Sequence, residues 1–151
     1  MALLILPGVA SSNERIQRTA TKTVTLDGTA GNGAVGTVAV FTVVGQVLIE
    51  TLTPFCTEDL LSAGAGTMTL GIPLNPQLFI ALTTATNLDN NEWWFSGTPT
   101  SGGAAVTAAL KQIAITGSIN ITVATGDITD GTIRFEVAWR PLSSNGDLVA
   151  A

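Results

Sequence analysis

Apolar and polar residues alternate along this chain with a period of two, the spacing of a strand with one buried face, and sustained helical spacing is scarce. From Thr19 to Leu26 the residues Thr19, Thr21, Thr23 and Thr25 interleave with Ala20, Lys22, Val24 and Leu26. Val35 to Val44 and Gln46 to Thr53 predict two further strands, with Gly45 as a bulge or bend between them. Thr67 to Ile72 predicts a short strand after the Gly64-Ala65-Gly66 turn, and Pro73 and Pro76 interrupt the pattern before Leu78 to Leu82. Trp93 to Ser96, Lys111 to Thr116 and Ser118 to Thr125 continue it. The clearest half-buried strand is Thr132 to Arg140, where Ile133, Phe135, Val137 and Trp139 alternate with Thr132, Arg134, Glu136 and Ala138. Two segments instead predict helical turns: Thr57 to Leu61, which has a capping-like start, and Ala104 to Leu110.

Asp27-Gly28 and Asn32-Gly33 mark tight turns. Many short strands separated by Gly-rich turns predict an all-β fold, an antiparallel β-sandwich or jelly roll, with a closed barrel as the rival architecture. The polar stretch Ala10 to Arg15 reads as a linker, so residues 1–18 form an expected extended N-terminal arm and residues 19–151 a single domain. Ahead of the linker, Leu3, Leu4, Ile5 and Leu6 precede a Pro7-Gly8 break. They lack a basic leader and are too few for a signal-peptide core. Two readings stand: a frayed or strand-like terminus, and an apolar arm that reaches onto a neighbouring subunit.

Composition turns this into a statement about surfaces. Of 151 residues, 46% are hydrophobic and only 11% charged, against about 25% charged in an ordinary soluble domain. No apolar run approaches the roughly 18 residues that span a bilayer, so the excess apolarity is assigned to subunit interfaces and no membrane partner is expected. The net charge of −5 and the scattered basic residues argue against a nucleic-acid partner. With no His, no Tyr and one Cys, the chain lacks the residues for Ser-His-Asp triads, Cys-His dyads, His-ligated metals and internal disulfides. No enzyme activity, cofactor or metal site is expected.

Several stretches imitate functional motifs. Gly31-Asn32-Gly33-Ala34-Val35-Gly36 matches G-x-G-x-x-G, but a dinucleotide site needs a helix after it, and the residues that follow are β-rich. Asp89-Asn90-Asn91-Glu92 collects oxygen ligands without the spacing or the Gly of a calcium loop, and Asp127 to Gly131 reads as an Asx-type turn. A glycosidase would need two carboxylates from among Glu50, Glu58, Asp59, Glu92 and Glu136 across a cleft, and the spacing selects no pair. Asn120-Ile121-Thr122 fits a glycosylation pattern but falls in an expected strand. Cys56 is expected to be a buried, inert thiol. In Trp93-Trp94-Phe95 neighbouring residues point to opposite faces, so one Trp faces outward, as a subunit contact or, less favourably, a sugar platform.

Three stretches resemble small virion proteins of tailed bacteriophages: Val24 to Gly36 (VTLDGTAGNGAVG), Thr83 to Trp94 (TTATNLDNNEWW) and Gly131 to Leu142 (GTIRFEVAWRPL). The resemblance covers about Thr19 to Asp147 and is to head decoration, or cement, proteins. It implies a β-sandwich or jelly-roll homotrimer on the outer capsid surface of the virion, with the major capsid protein as partner, stabilising the head by bridging capsid subunits. An acidic protein suits the outer face of a shell packed with DNA. Tail-tip or fibre-base proteins, and a carbohydrate-binding β-sandwich module, are the alternative roles. The expected contact residues are Leu3, Leu4, Ile5, Leu6, Trp93 and Trp94.

Overall fold

The computed structural model describes residues 16–151. Eleven strands form two antiparallel sheets: β1 (Arg18–Thr25), β2 (Gly36–Val44), β3 (Val47–Ser62), β4 (Thr67–Ile72), β5 (Asn75–Thr84), β6 (Glu92–Trp93), β7 (Thr100–Ser101), β8 (Lys111–Ile115), β9 (Ile119–Ala124), β10 (Ile128–Pro141) and β11 (Asp147–Ala150). One sheet runs β1-β10-β3-β6-β7 with β8 also paired to β3; the other runs β11-β2-β9-β4-β5.

The pairing has a simple logic. Among the longer strands the first pairs with the last (β1 with β10), β2 with β9, β3 with β8, and β4 with β5, as in one long hairpin. Rolling that hairpin brings β10 against β3 and β9 against β4, which splits it into two packed sheets. This is the jelly-roll topology, and it settles sandwich against closed barrel.

Both inner faces are apolar. The six-stranded sheet contributes Val24, Ile49, Leu52, Cys56, Ile133, Phe135, Val137 and Trp139; the five-stranded sheet contributes Val38, Phe41, Met68, Leu70, Phe79, Ile80, Ile119, Ile121, Val123 and Leu148. The alternation read in β10 holds throughout, with all four of its large apolar residues buried. In β3 a register shift opposite Ala138 and Trp139 makes Glu50 an extra residue. That bulge moves the buried set from Val47 and Ile49 to Leu52 and Cys56 without breaking the pairing. A similar shift in β2 leaves both Val40 and Phe41 buried.

Three expected elements change. Thr57 to Leu61 is no helical turn: β3 continues to Ser62, because pairing of Leu61 with Asp130 and Glu58 with Thr132 overrides the local capping signal. The strand at Trp93 shrinks to Glu92–Trp93, and the helical turn at Ala104 to Leu110 contracts to a 3₁₀ turn at Ala108–Leu110. In addition β11, beyond the last predicted strand, closes the edge of the five-stranded sheet against β2.

Pro54 sits inside β3 without harm. Its carbonyl accepts from the Trp94 N–H on the side of the short strand β6, so the missing N–H also faces that sparsely paired side.

Candidate contact surface

The two sheets differ in what they show to solvent. Arg18 and Lys22 on β1, Glu50, Glu58 and Asp59 on β3, Glu92 on β6, Lys111 on β8 and Asp130, Arg134, Glu136 and Arg140 on β10 place charge along every long strand of the six-stranded sheet. In the five-stranded sheet the sole charged strand residue is Asp147, at the start of β11.

The outer face of the six-stranded sheet is where the chain's accessible aromatic surface meets its cations. Pairing of β6 with β3 sets Trp93 beside Phe55, ring centroids 4.6 Å apart, and the buried Phe95 lies 5.2 Å from Trp93. The Arg134 guanidinium stands 5.5 Å over the Phe55 ring and its Nε lies 3.3 Å from Glu136. Arg140 donates to the Glu50 carboxylate at 3.1 Å, whose second oxygen accepts from Gln112. Trp and Arg at a half-exposed cluster are the residue types that carry binding energy at protein interfaces. In the sequence Arg134 reads as an outward residue of its strand, and Phe55 lies beyond the expected strand that ends at Thr53; that both converge on Trp93 depends on pairing across three strands.

Trp94 is not part of this surface. It is fully buried, its ring packs edge-on to Phe135 at 6.5 Å, and its indole N–H donates to the Thr83 hydroxyl at 2.9 Å. Of the two tryptophans expected as contacts, only Trp93 offers accessible surface, because Trp94, the residue just after β6, points inward. Leu3, Leu4, Ile5 and Leu6 lie outside the described residues.

The motif-like stretches have structural roles. The glycine loop opens onto strand β2, and Gly33 packs against the backbone of Ile128: a Cβ there would stand 2.2 Å from the Ile128 carbonyl, in a backbone with φ of +115°. Gly33 also accepts from the Ile128 N–H at 2.8 Å, so this glycine serves a close approach of two backbones. Asp127 accepts from the Val35 N–H across the same loop. Asp27 accepts from the N–H and hydroxyl of Thr29, which hold its carboxyl below the ordinary carboxylate range.

A shallow depression of about 610 Å³ lies over the bulged end of β3, lined by Thr57, Glu58, Asp59, Leu61, Asn90, Asp130 and Thr132. Its carboxylates are engaged in the fold: Glu58 accepts from Thr132, Asp59 from the Asn90 N–H, and Asp130 from the Gly131 N–H. Glu92 likewise accepts from the Asp89 N–H within the acidic loop. Among the described residues no group of three or more acidic or Cys side chains is placed to hold a metal ion. Cys56 is buried as expected, its thiol donates to the Glu58 carbonyl, and burial pushes its pKa up to about 11.

No protein-family model matches this chain, and no curated protein does. Its fold is similar to that of a chain in a solved structure described as the cyanophage Pam1 capsid asymmetric unit, with a TM-score of 0.54. The match covers 82% of this chain and 84% of that one at 17% identity. At that identity the likeness is one of fold, spread over nearly the whole jelly roll.

Proposed function

We propose that this chain is a structural, non-enzymatic component of a bacteriophage virion, a decoration protein that sits on the outer capsid surface and bridges neighbouring capsid subunits. The fold shared with a chain of the cyanophage capsid asymmetric unit carries this reading. The resemblance of three sequence stretches to phage virion proteins and the Trp93–Phe55–Arg134 cluster support it. The cluster is the proposed capsid-facing anchor, and Leu3 to Leu6 form a second, arm-like contact. Stabilisation works by mass action: a protein that binds the assembled lattice and not the free capsid subunit favours the intact head.

The test is co-sedimentation of the purified chain with empty heads assembled from the major capsid protein of the same genome. Saturable binding that raises the temperature of head disruption supports the role, and Trp93→Ala should weaken it at least tenfold. Removal of Met1 to Gly8 should leave the melting temperature of the chain nearly unchanged while weakening head binding. A chain that stays in the supernatant overturns the reading. A half-exposed Trp on a sandwich also suits a sugar, so Trp93-dependent retention on glycans without head binding would select the carbohydrate-binding alternative.

A further inference from the structure

We infer that the outer face of the five-stranded sheet is the surface through which this chain associates with further copies of itself, with Leu74 as the anchor. The inference deepens the self-association expected for a decoration protein and rests on that expectation, but not on capsid binding.

The outward residues of β2, β9 and β4 are small and uncharged: Thr37, Ala39, Asn120, Thr122 and Thr67 floor the face. At one side the β4–β5 turn stands up as a ridge. There Gly71 lets the β5 backbone close over β4, since a Cβ at Gly71 would meet the Asn75 carbonyl at 2.2 Å. Pro73 and Pro76 of the ridge and Thr37, Asn120 and Thr122 of the floor enclose a groove of about 290 Å³. At the tip of the ridge Leu74 is 92% exposed, the most exposed large apolar side chain among the described residues. A projecting leucine beside an uncharged groove is a knob and a hole on one surface, and two copies can satisfy both.

Charge selects the occupant. Each copy carries a net −5, so two copies meet least repulsion where charge is sparsest, and this sheet, with Asp147 of its edge strand as its one charged strand residue, provides that face. Depletion of charge at the centre is also what distinguishes protein interfaces from other surface. Five strands at about 4.8 Å spacing and four to ten residues long give a footprint of roughly 600 Å². Side-chain relief and the Leu74 ridge bring it toward the ~800 Å² per partner of a standard interface.

The experiment is sedimentation velocity on the whole chain at micromolar concentration, with melting curves to verify the fold. The wild type should sediment as an oligomer. Leu74→Asp and Thr122→Lys should each raise the dissociation constant at least tenfold and shift the chain toward its 15.4 kDa monomer. Thr53→Lys, on the other sheet, should leave the oligomer unchanged. Because Leu74 is so exposed, L74D reports on association even if T122K impairs folding. An oligomer that survives L74D overturns the choice of face and leaves self-association standing, whereas a monomeric wild type overturns both. A monomeric wild type whose binding to empty heads is lost in L74D would assign the face to the shell instead. Failure to bind heads with L74D-sensitive self-association intact would overturn the capsid reading alone.

Discussion

The two sheets of this jelly roll bury similar apolar inner faces and present opposite outer ones. Along β1, β3 and β10 the outward positions mix Thr with Arg and Glu, and an aromatic stack is set among them. Along β2, β4 and β9 they are mostly Thr, Ala, Asn and Gly, with Val44 at the end of β2. A sheet facing only water gains from charge, and a sheet facing protein is penalised by it unless each charge finds a partner. One chain thus carries two outer faces of different chemistry: a polar face with an aromatic cluster, and a nearly uncharged, small-residue face with an exposed leucine beside a groove.

The comparison is most strongly tested at the shared core. Trp94 is fully buried between the sheets, so Trp94→Ala should lower stability by about 3–5 kcal/mol in urea denaturation. Trp139→Ala should fall in the same range, because that ring is buried on the inner side of β10 with the Arg18 guanidinium 5.3 Å over it. A loss under about 1 kcal/mol for Trp139 would mean that the faces of β10 are exchanged. Gly33→Ala comes next: a positive φ and a backbone carbonyl in the path of the new Cβ predict a loss of about 1–3 kcal/mol. A neutral result there would show that the loop joining the sheets is pliable.

Salt sharpens the contrast between the outer faces. Raising ionic strength from about 0.05 M to about 0.5 M shortens the screening length severalfold, so any contact made through Arg134, Glu136 and Arg140 should weaken. Association through the uncharged sheet should hold or tighten slightly, which sedimentation at both salt concentrations would read. Equal sensitivity of both contacts would erase the distinction.

The smallest effect belongs to Cys56. Burial pushes its pKa from the ordinary thiol value of 9.0 up to about 11, so between those values the native state keeps a proton that the unfolded chain releases. Its stabilising contribution is complete below pH 9 and declines as pH rises toward 11. Cys56→Ala should remove that part of the slope in melting temperature, and a slope unchanged by the substitution would place its origin elsewhere.

Period-two alternation is a local property, and it determined the strand character, the all-β class and the buried faces of β1, β9 and β10, because a pleated strand fixes which residues share a side. Composition determined that charge would be scarce across the whole chain. Only the tertiary structure decided the rest. The bulges at Glu50 and in β2 shift the alternation part-way along a strand, so reading either half forward mistakes the inward set of the other. Pairing with β10 turned Thr57 to Leu61 from an expected helical turn into strand, since long-range hydrogen bonds outweigh a weak cap. Trp93 and Trp94 are equivalent by composition, and the register of β6 against β3 alone sends one outward and the other into the core. That the long uncharged strands β2, β4, β5 and β9 all lie in one sheet depends on which strands the rolled hairpin brings together, a consequence of chain topology that no local window contains.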